Sequence, residues 1–177
     1  TAVRIISPII TKDIRVDDLG PNDMPHWRGG LTAGIWQSAT LEFNQSAWIK
    51  HTFYKPKIKD SAFKLDLELR CNETTPQVAI LKIDVCDNKG ESVYQNKQSF
   101  QLQEGDIQLE HTIILQDAKL WTCDSPHLYT AHARILLNGK EIAKSIERIG
   151  LREFTYENER FYLNGEGIYL RGGYWEG

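Results

Sequence analysis

The chain has 177 residues, a formal net charge of −3, 41% hydrophobic and 25% charged residues. That composition belongs to a folded globular protein rather than a disordered one, and so small a net charge gives no basic surface for nucleic acid or an anionic membrane. Apolar runs such as Val78–Leu81 and Ile135–Leu137 are short, whereas a membrane-spanning helix needs about 20 apolar residues.

The first stretch is the least regular. Val3–Ile6 and Ile9–Ile10 read as a strand interrupted at Pro8, and Asp17–Pro25 is dense in turn formers. Residues 1–36 hold too few apolar side chains for a core of their own. From Ser38 onward the pattern is β. Ala39, Leu41 and Phe43 alternate with Thr40 and Glu42, and Trp48–Tyr54 forms a run that ends before Pro56. In Phe63–Cys71 every odd residue is apolar and every even one charged. This is the period of a half-buried antiparallel strand, and at ~100° per residue the same positions would scatter around a helix.

Ala79, Leu81, Ile83 and Val85 line the next strand, closed by Asp87-Asn88-Lys89-Gly90. Val93–Leu102 is more polar and reads as an edge strand. Glu104-Gly105-Asp106 turns the chain, after which Leu109, Ile113 and Leu115 face one way. A loop with Trp121 and Pro126 leads to a strand over Tyr129–Leu137. Asn138-Gly139 then signals a two-residue hairpin into Ile142–Leu151. About seven strands thus occupy residues 47–152, with turn signals at roughly 8–15-residue spacing and no helix. The fold class expected is all-β, an immunoglobulin-like antiparallel sandwich. Without the Cys…Trp…Cys arrangement of antibody domains it is fibronectin-like in type. A second hairpin follows, with Phe161–Leu163 and Ile168–Leu170 flanking Asn164-Gly165.

Chemistry is sparse. Cys71, Cys86 and Cys123 are odd in number and widely spaced, neither a disulfide framework nor a zinc pattern. No metal motif, phosphate loop or Ser/His/Asp arrangement occurs, so neither a metal nor a cofactor is expected. His26, His51, His111, His127 and His132 are dispersed and read as satisfied structural histidines. Glu153, Glu157, Glu159, Glu166 and Glu176 cluster near the C-terminus. They read as solvated charge, although sugar-cleaving sites use carboxylate pairs about 5–10 Å apart. Trp48 and Trp121 are expected in the core. Trp175, with Tyr174 beside it and Glu176 following, is the candidate sugar contact, because a flat ring stacks on the apolar face of a pyranose.

Three stretches together resemble one family, glycoside hydrolase family 2. Gly34-Ile35-Trp36-Gln37-Ser38-Ala39-Thr40-Leu41 looks like the closing strand of its jelly-roll domain. Leu120–Tyr129, with Trp121 and Pro126, looks like the lead into a late strand of its sandwich domain. Arg148-Ile-Gly150-Leu-Arg152, Phe161–Gly165 and Ile168–Gly172 look like its pattern between sandwich and barrel. The resemblance implies a jelly-roll tail over 1–45, an immunoglobulin-like sandwich over 46–152, and over 153–177 the lead-in to a (β/α)8 catalytic barrel that is missing. It implies a retaining exo-β-glycosidase parent of β-galactoside or β-mannoside type. The adjacent jelly-roll and barrel domains of that parent would be the partners, and an oligosaccharide its substrate. The family's acid/base and nucleophile glutamates lie downstream, so no residue of this chain is expected to be catalytic.

The chain departs from the β-galactosidase pattern after Arg171-Gly172. Gly173-Tyr174-Trp175-Glu176 is closer to the β-mannosidase and exo-glucosaminidase branch, whose Trp lies near the sugar subsite, and only Trp175 inherits that role. Two rival readings are a stand-alone carbohydrate-binding or adhesion module and a spacer from an unrelated surface protein. The first lacks an aromatic cluster on the polar face of any strand, and the second leaves Phe161–Gly172 without a purpose.

Overall fold

A computed structural model describes Ala39 and residues 46–173, and residues 46–173 fall within one compact unit, Asn44–Gly177. The expected strands around Val3–Ile10 and Ala39–Phe43, and the motif beginning at Gly34, lie wholly or mostly outside the described residues.

Seven strands build the sandwich. They are β1 (Ala47–Lys57), β2 (Ala62–Cys71), β3 (Gln77–Cys86), β4 (Ser92–Leu102), β5 (Gly105–Ile114), β6 (Tyr129–Leu137) and β7 (Lys140–Ile149). One sheet has the order β1-β2-β5 and the other β4-β3-β6-β7, all neighbours antiparallel. Placing the fourth strand in the second sheet is the fibronectin-like arrangement. A third small sheet, β10-β9-β8, follows from β8 (Phe154–Glu157), β9 (Arg160–Leu163) and β10 (Glu166–Ile168).

The alternation in β2 decides the core. Phe63, Leu65, Leu67 and Leu69 are fully buried and meet Leu81, Ile83 and Val85 of β3 and Ala131, Ala133 and Ile135 of β6. The charged face of the same strand is solvated and paired across the sheet. Lys64 reaches Glu110 at 2.9 Å and Arg70 reaches Asp106 at 3.3 Å, while Lys50 pairs with Glu68 and Lys55 with Asp66. Exposed pairs of this kind add little to stability; their larger effect is to keep that face in water.

Trp48 is half-buried rather than in the core. Ala47 and Ile49 face inward at odd positions, so Trp48 points to the other side of the pleat. The register then slips between Ile49 and His51, and beyond this bulge the even residue Tyr54 faces inward. The hairpin near the C-terminus also differs from expectation. Its second arm is Glu166–Ile168, and Phe154–Glu157 adds a third strand through a turn at Asn158 and Glu159. Both turn residues have positive φ, 48° and 62°; Glu159 is an unusual residue there, and a sequence pattern built on glycine passes over it.

Both open edges of the sandwich are closed by side chains. At one edge Thr52 Oγ1 of β1 meets Ser145 Oγ of β7 at 3.0 Å. At the other, His111 of β5 meets the Tyr94 hydroxyl at 2.8 Å and Gln98 Oε1 at 3.0 Å, both on β4. Gln98 Oε1 can only accept, so Nδ1 carries the proton and Nε2 accepts from Tyr94.

Candidate functional site

The expected sugar contacts Tyr174, Trp175 and Glu176 lie outside the described residues. Glu153, Glu157, Glu159 and Glu166 are all exposed. Among the described residues no three His, Cys, Asp or Glu side chains gather as a metal site. Cys71 is buried, Cys86 half-buried and Cys123 exposed, all as free thiols. Of the histidines, His111 is satisfied on both nitrogens, whereas His132 Nδ1 is buried with no partner.

What the described residues do assemble is a joint, and its parts are the separate motifs of the sequence. The loop after β5 closes on itself. Trp121 and Pro126 form an antiparallel bridge, Thr122 N–H donates to Ser125 O at 3.0 Å, and Ser125 N–H donates to Thr122 Oγ1 at 2.9 Å. This loop docks on the chain leaving β7. Leu120 bridges Leu151 in parallel, and Trp121 N–H donates to Leu151 O at 2.9 Å. The Arg152 guanidinium lies over the Trp121 ring at 4.6 Å, an arrangement that holds a half-exposed indole and a cation together. Trp121 is therefore a half-buried platform, not the core residue expected.

Gly150 is favoured by closeness rather than by backbone angle. A Cβ there would sit 3.1 Å from Leu128 Cδ2 and 3.5 Å from Trp121 Cβ. The glycine lets the strand exit pass against the loop.

Asn164 completes the joint. Its φ of 55° opens the turn before Gly165, whose φ is 83°, as a two-residue hairpin demands. Its side chain then reaches out of the hairpin. Oδ1 accepts from Glu153 N–H at 2.9 Å, and Nδ2 donates to Trp121 O at 2.9 Å, while its own N–H donates to Glu153 O at 2.8 Å. One residue thus sets the turn, ties it to the start of β8, and ties both to the sandwich loop. Asn164-Gly165 reads from the sequence as a turn, and Trp121 as part of a separate stretch. The contact between them spans 43 positions, and no local pattern signals it.

Beside the joint a shallow groove runs along the β1 and β7 edge, lined by Phe53, Tyr54, Trp121, Arg148, Arg152 and Phe154 among others. The Tyr54 hydroxyl is buried without a partner. Burial, and then the charge of Glu147, push its phenol well above the usual range, so it stays a neutral hydroxyl, able to donate or accept. Among its lining residues Thr52 Oγ1 donates to the exposed Glu147 carboxylate at 3.4 Å, and the groove is open rather than enclosed.

Comparison with known proteins gives a consistent picture. The profile of glycosyl hydrolases family 2 matches residues 47–152. A beta-glucuronidase of Streptococcus agalactiae is 30% identical over 140 residues, 79% of this chain and 21% of that protein. A beta-galactosidase of Lactobacillus delbrueckii subsp. bulgaricus is 25% identical over 152 residues, 85% of this chain and 14% of that protein. Among solved structures, a beta-D-mannosidase from Dictyoglomus thermophilum superposes with a TM-score of 0.69 at 21% identity, covering 81% of this chain and 19% of the other. At that identity the likeness speaks to fold alone. The chain spans less than a quarter of the length of each of these relatives.

Proposed function

The chain belongs to glycosyl hydrolases family 2, and from that premise we propose that residues 46–152 are a non-catalytic spacer that fixes the geometry between two neighbouring domains of a larger glycosidase. In this reading residues 1–45 close a jelly-roll sugar-binding domain and residues 153–177 lead into a (β/α)8 catalytic barrel. The larger protein hydrolyses terminal β-glycosidic bonds, of galactoside, glucuronide or mannoside type, with retention through a covalent glycosyl-enzyme intermediate. Tyr174, Trp175 and Glu176 come nearest to the sugar, with Trp175 as the stacking ring.

The observation that carries the spacer role is the Asn164 joint. A sandwich that merely preceded another domain would need only a flexible linker after β7. Here the chain after Leu151 is held by Arg152 over Trp121 and by three hydrogen bonds through Asn164. Such bonding transmits an orientation.

The test is direct. The 177-residue chain, purified alone, should not hydrolyse nitrophenyl β-galactoside, β-glucuronide or β-mannoside, whereas the full-length protein should hydrolyse one of them. Turnover by the isolated chain that disappears with Glu153→Gln would sink the spacer reading.

A further inference from the structure

The two outer faces of the sandwich treat charge in opposite ways. On the sheet β1-β2-β5 the cations of β2 stand against carboxylates, Lys64 against Glu110 and Arg70 against Asp106. On the four-stranded sheet the register sets like against like. Lys97 of β4 pairs with Lys82 of β3, Lys82 with Arg134 of β6, and Arg134 with Lys144 of β7. Leu81, Ile83, Ala133 and Ile135, the chain neighbours of Lys82 and Arg134, are buried, and directly paired residues share a face, so all four cations project outward. Neighbouring strands lie about 4.8 Å apart, so the row crosses the whole sheet in roughly 14 Å. Like charges directly opposite each other destabilise a sheet. Of the four, among the described residues, only Arg134 has a carboxylate beside it, Glu141 at 3.8 Å. Asp84, on the same face, accepts from Ser92 Oγ at 2.7 Å and from Gln95 Nε2 at 3.4 Å. The net charge of −3 conceals this row.

We infer that this row is a binding surface for a linear acidic polysaccharide, a polyuronate, lying across the strands with its carboxylates against the three lysines and Arg134. Each ring of such a chain carries one carboxylate, so it offers the row a succession of anions. Their binding relieves the repulsion that the free sheet carries, and complementary charge gives the contact its specificity. Several observations select a glycan over other polyanions. Among the described residues flanking the row there is no Phe, Tyr or Trp, so the stacking that holds single-stranded nucleic acid is missing. Strands β3 and β6 are each paired on both sides, so the middle of the face offers no strand edge for the main-chain bonds that hold an extended acidic peptide. Gln95 and Ser99 flank Lys97 as exposed side chains, and an amide and a hydroxyl suit sugar hydroxyls. The chain belongs to a family of glycosyl hydrolases, so a polysaccharide is the polymer that the larger protein meets. The inference rests on the glycosidase reading of that protein.

The experiment uses the full-length protein and measures its retardation in native gels that contain polygalacturonate, with neutral dextran as the uncharged counterpart. The parent should be retarded by polygalacturonate and not by dextran. Lys82→Gln, Lys97→Gln and Lys144→Gln together should raise the dissociation constant about tenfold or more, whereas Lys→Arg at the same three positions should bind as the parent does. Lys57→Gln, Lys59→Gln and Lys119→Gln, at exposed positions away from the row, change the net charge equally and should leave binding intact. Equal weakening by the two glutamine triples would overturn the inference, because attraction would then follow net charge alone. So would an unretarded parent, or tighter binding to oligothymidylate or polyglutamate of matched charge than to polygalacturonate. Retardation needs no turnover, so a full-length protein inactive on every glycoside would sink the glycosidase reading while the gels still decide the row.

Discussion

Asn164 lends itself to a test that separates its roles. Asn164→Gly keeps the turn, because glycine takes positive φ at no steric cost, but removes both side-chain hydrogen bonds. Asn164→Asp keeps the acceptor for Glu153 N–H and tolerates the left-handed conformation, but loses the donor to Trp121 O and sets a carboxylate against that carbonyl. Partly exposed hydrogen bonds of this kind contribute about 0.5–1.5 kcal/mol each. Asn164→Gly should then ease local opening of β8 and β9 by about 1–3 kcal/mol, roughly 5- to 150-fold in the opening equilibrium. Asn164→Asp should cost about one bond, roughly 2- to 13-fold. Native-state amide exchange reads this directly: amides of β8 and β9 should exchange faster in the order Gly, Asp, Asn, while those of Leu65 and Leu67 in β2 stay unchanged. If Asn164→Asp exchanges like the parent chain, the link to Trp121 carries no energy and the joint is only a turn. Equal acceleration in β2 would mean that the small sheet and the sandwich open as one unit, which also contradicts the reasoning.

Most of the sandwich was legible because its signal is local. Strict alternation in Phe63–Cys71, Ala79–Val85 and Tyr129–Leu137 names the buried residues one by one, and Asn138-Gly139 closes a hairpin where the turn residues demand it. Errors arose where the period breaks. The bulge at Ile49/His51 reverses which residues of β1 face inward, so Trp48, a core residue by its hydrophobicity, lies on the other side. Asn158 and Glu159 form a tight turn without glycine, so no local turn signal marks β8. The joint was legible only as separate pieces. Trp121, Gly150, Arg152 and Asn164 each stand in a stretch that the sequence singles out, but their convergence depends on a parallel bridge and a side-chain contact between distant positions. Periodicity carries no information about such contacts. The expected sugar contacts at Tyr174–Glu176 gained no structural support from the described residues.

Further outcomes follow from the packing. Leu67→Ala, at the centre of β2 and fully buried, should destabilise the fold by about 2–5 kcal/mol in urea unfolding; a loss under 1 kcal/mol would mean the two sheets collapse onto the cavity. Gly150→Val should cost about 1–3 kcal/mol through overpacking against Leu128 and Trp121, measured in the same way, with Gly150→Ala milder because half-buried Leu128 can shift. His111 makes stability depend on pH. Burial holds its imidazole below the ordinary value of 6.5, so between its folded value and 6.5 the unfolded chain binds more protons than the folded one. Stability contributed by the neutral ring is therefore full above pH 6.5 and declines as pH falls through the window beneath it. Protonation also turns Nε2 into a donor, so the Tyr94 hydroxyl, which donates to it at 2.8 Å, must turn and accept instead. Urea unfolding of the parent chain and of His111→Gln across that window should diverge, the parent losing stability more steeply on acidification. Parallel curves would show that the edge closed by His111, Tyr94 and Gln98 opens before the ring is protonated, and that the burial of His111 stores no proton-linked energy.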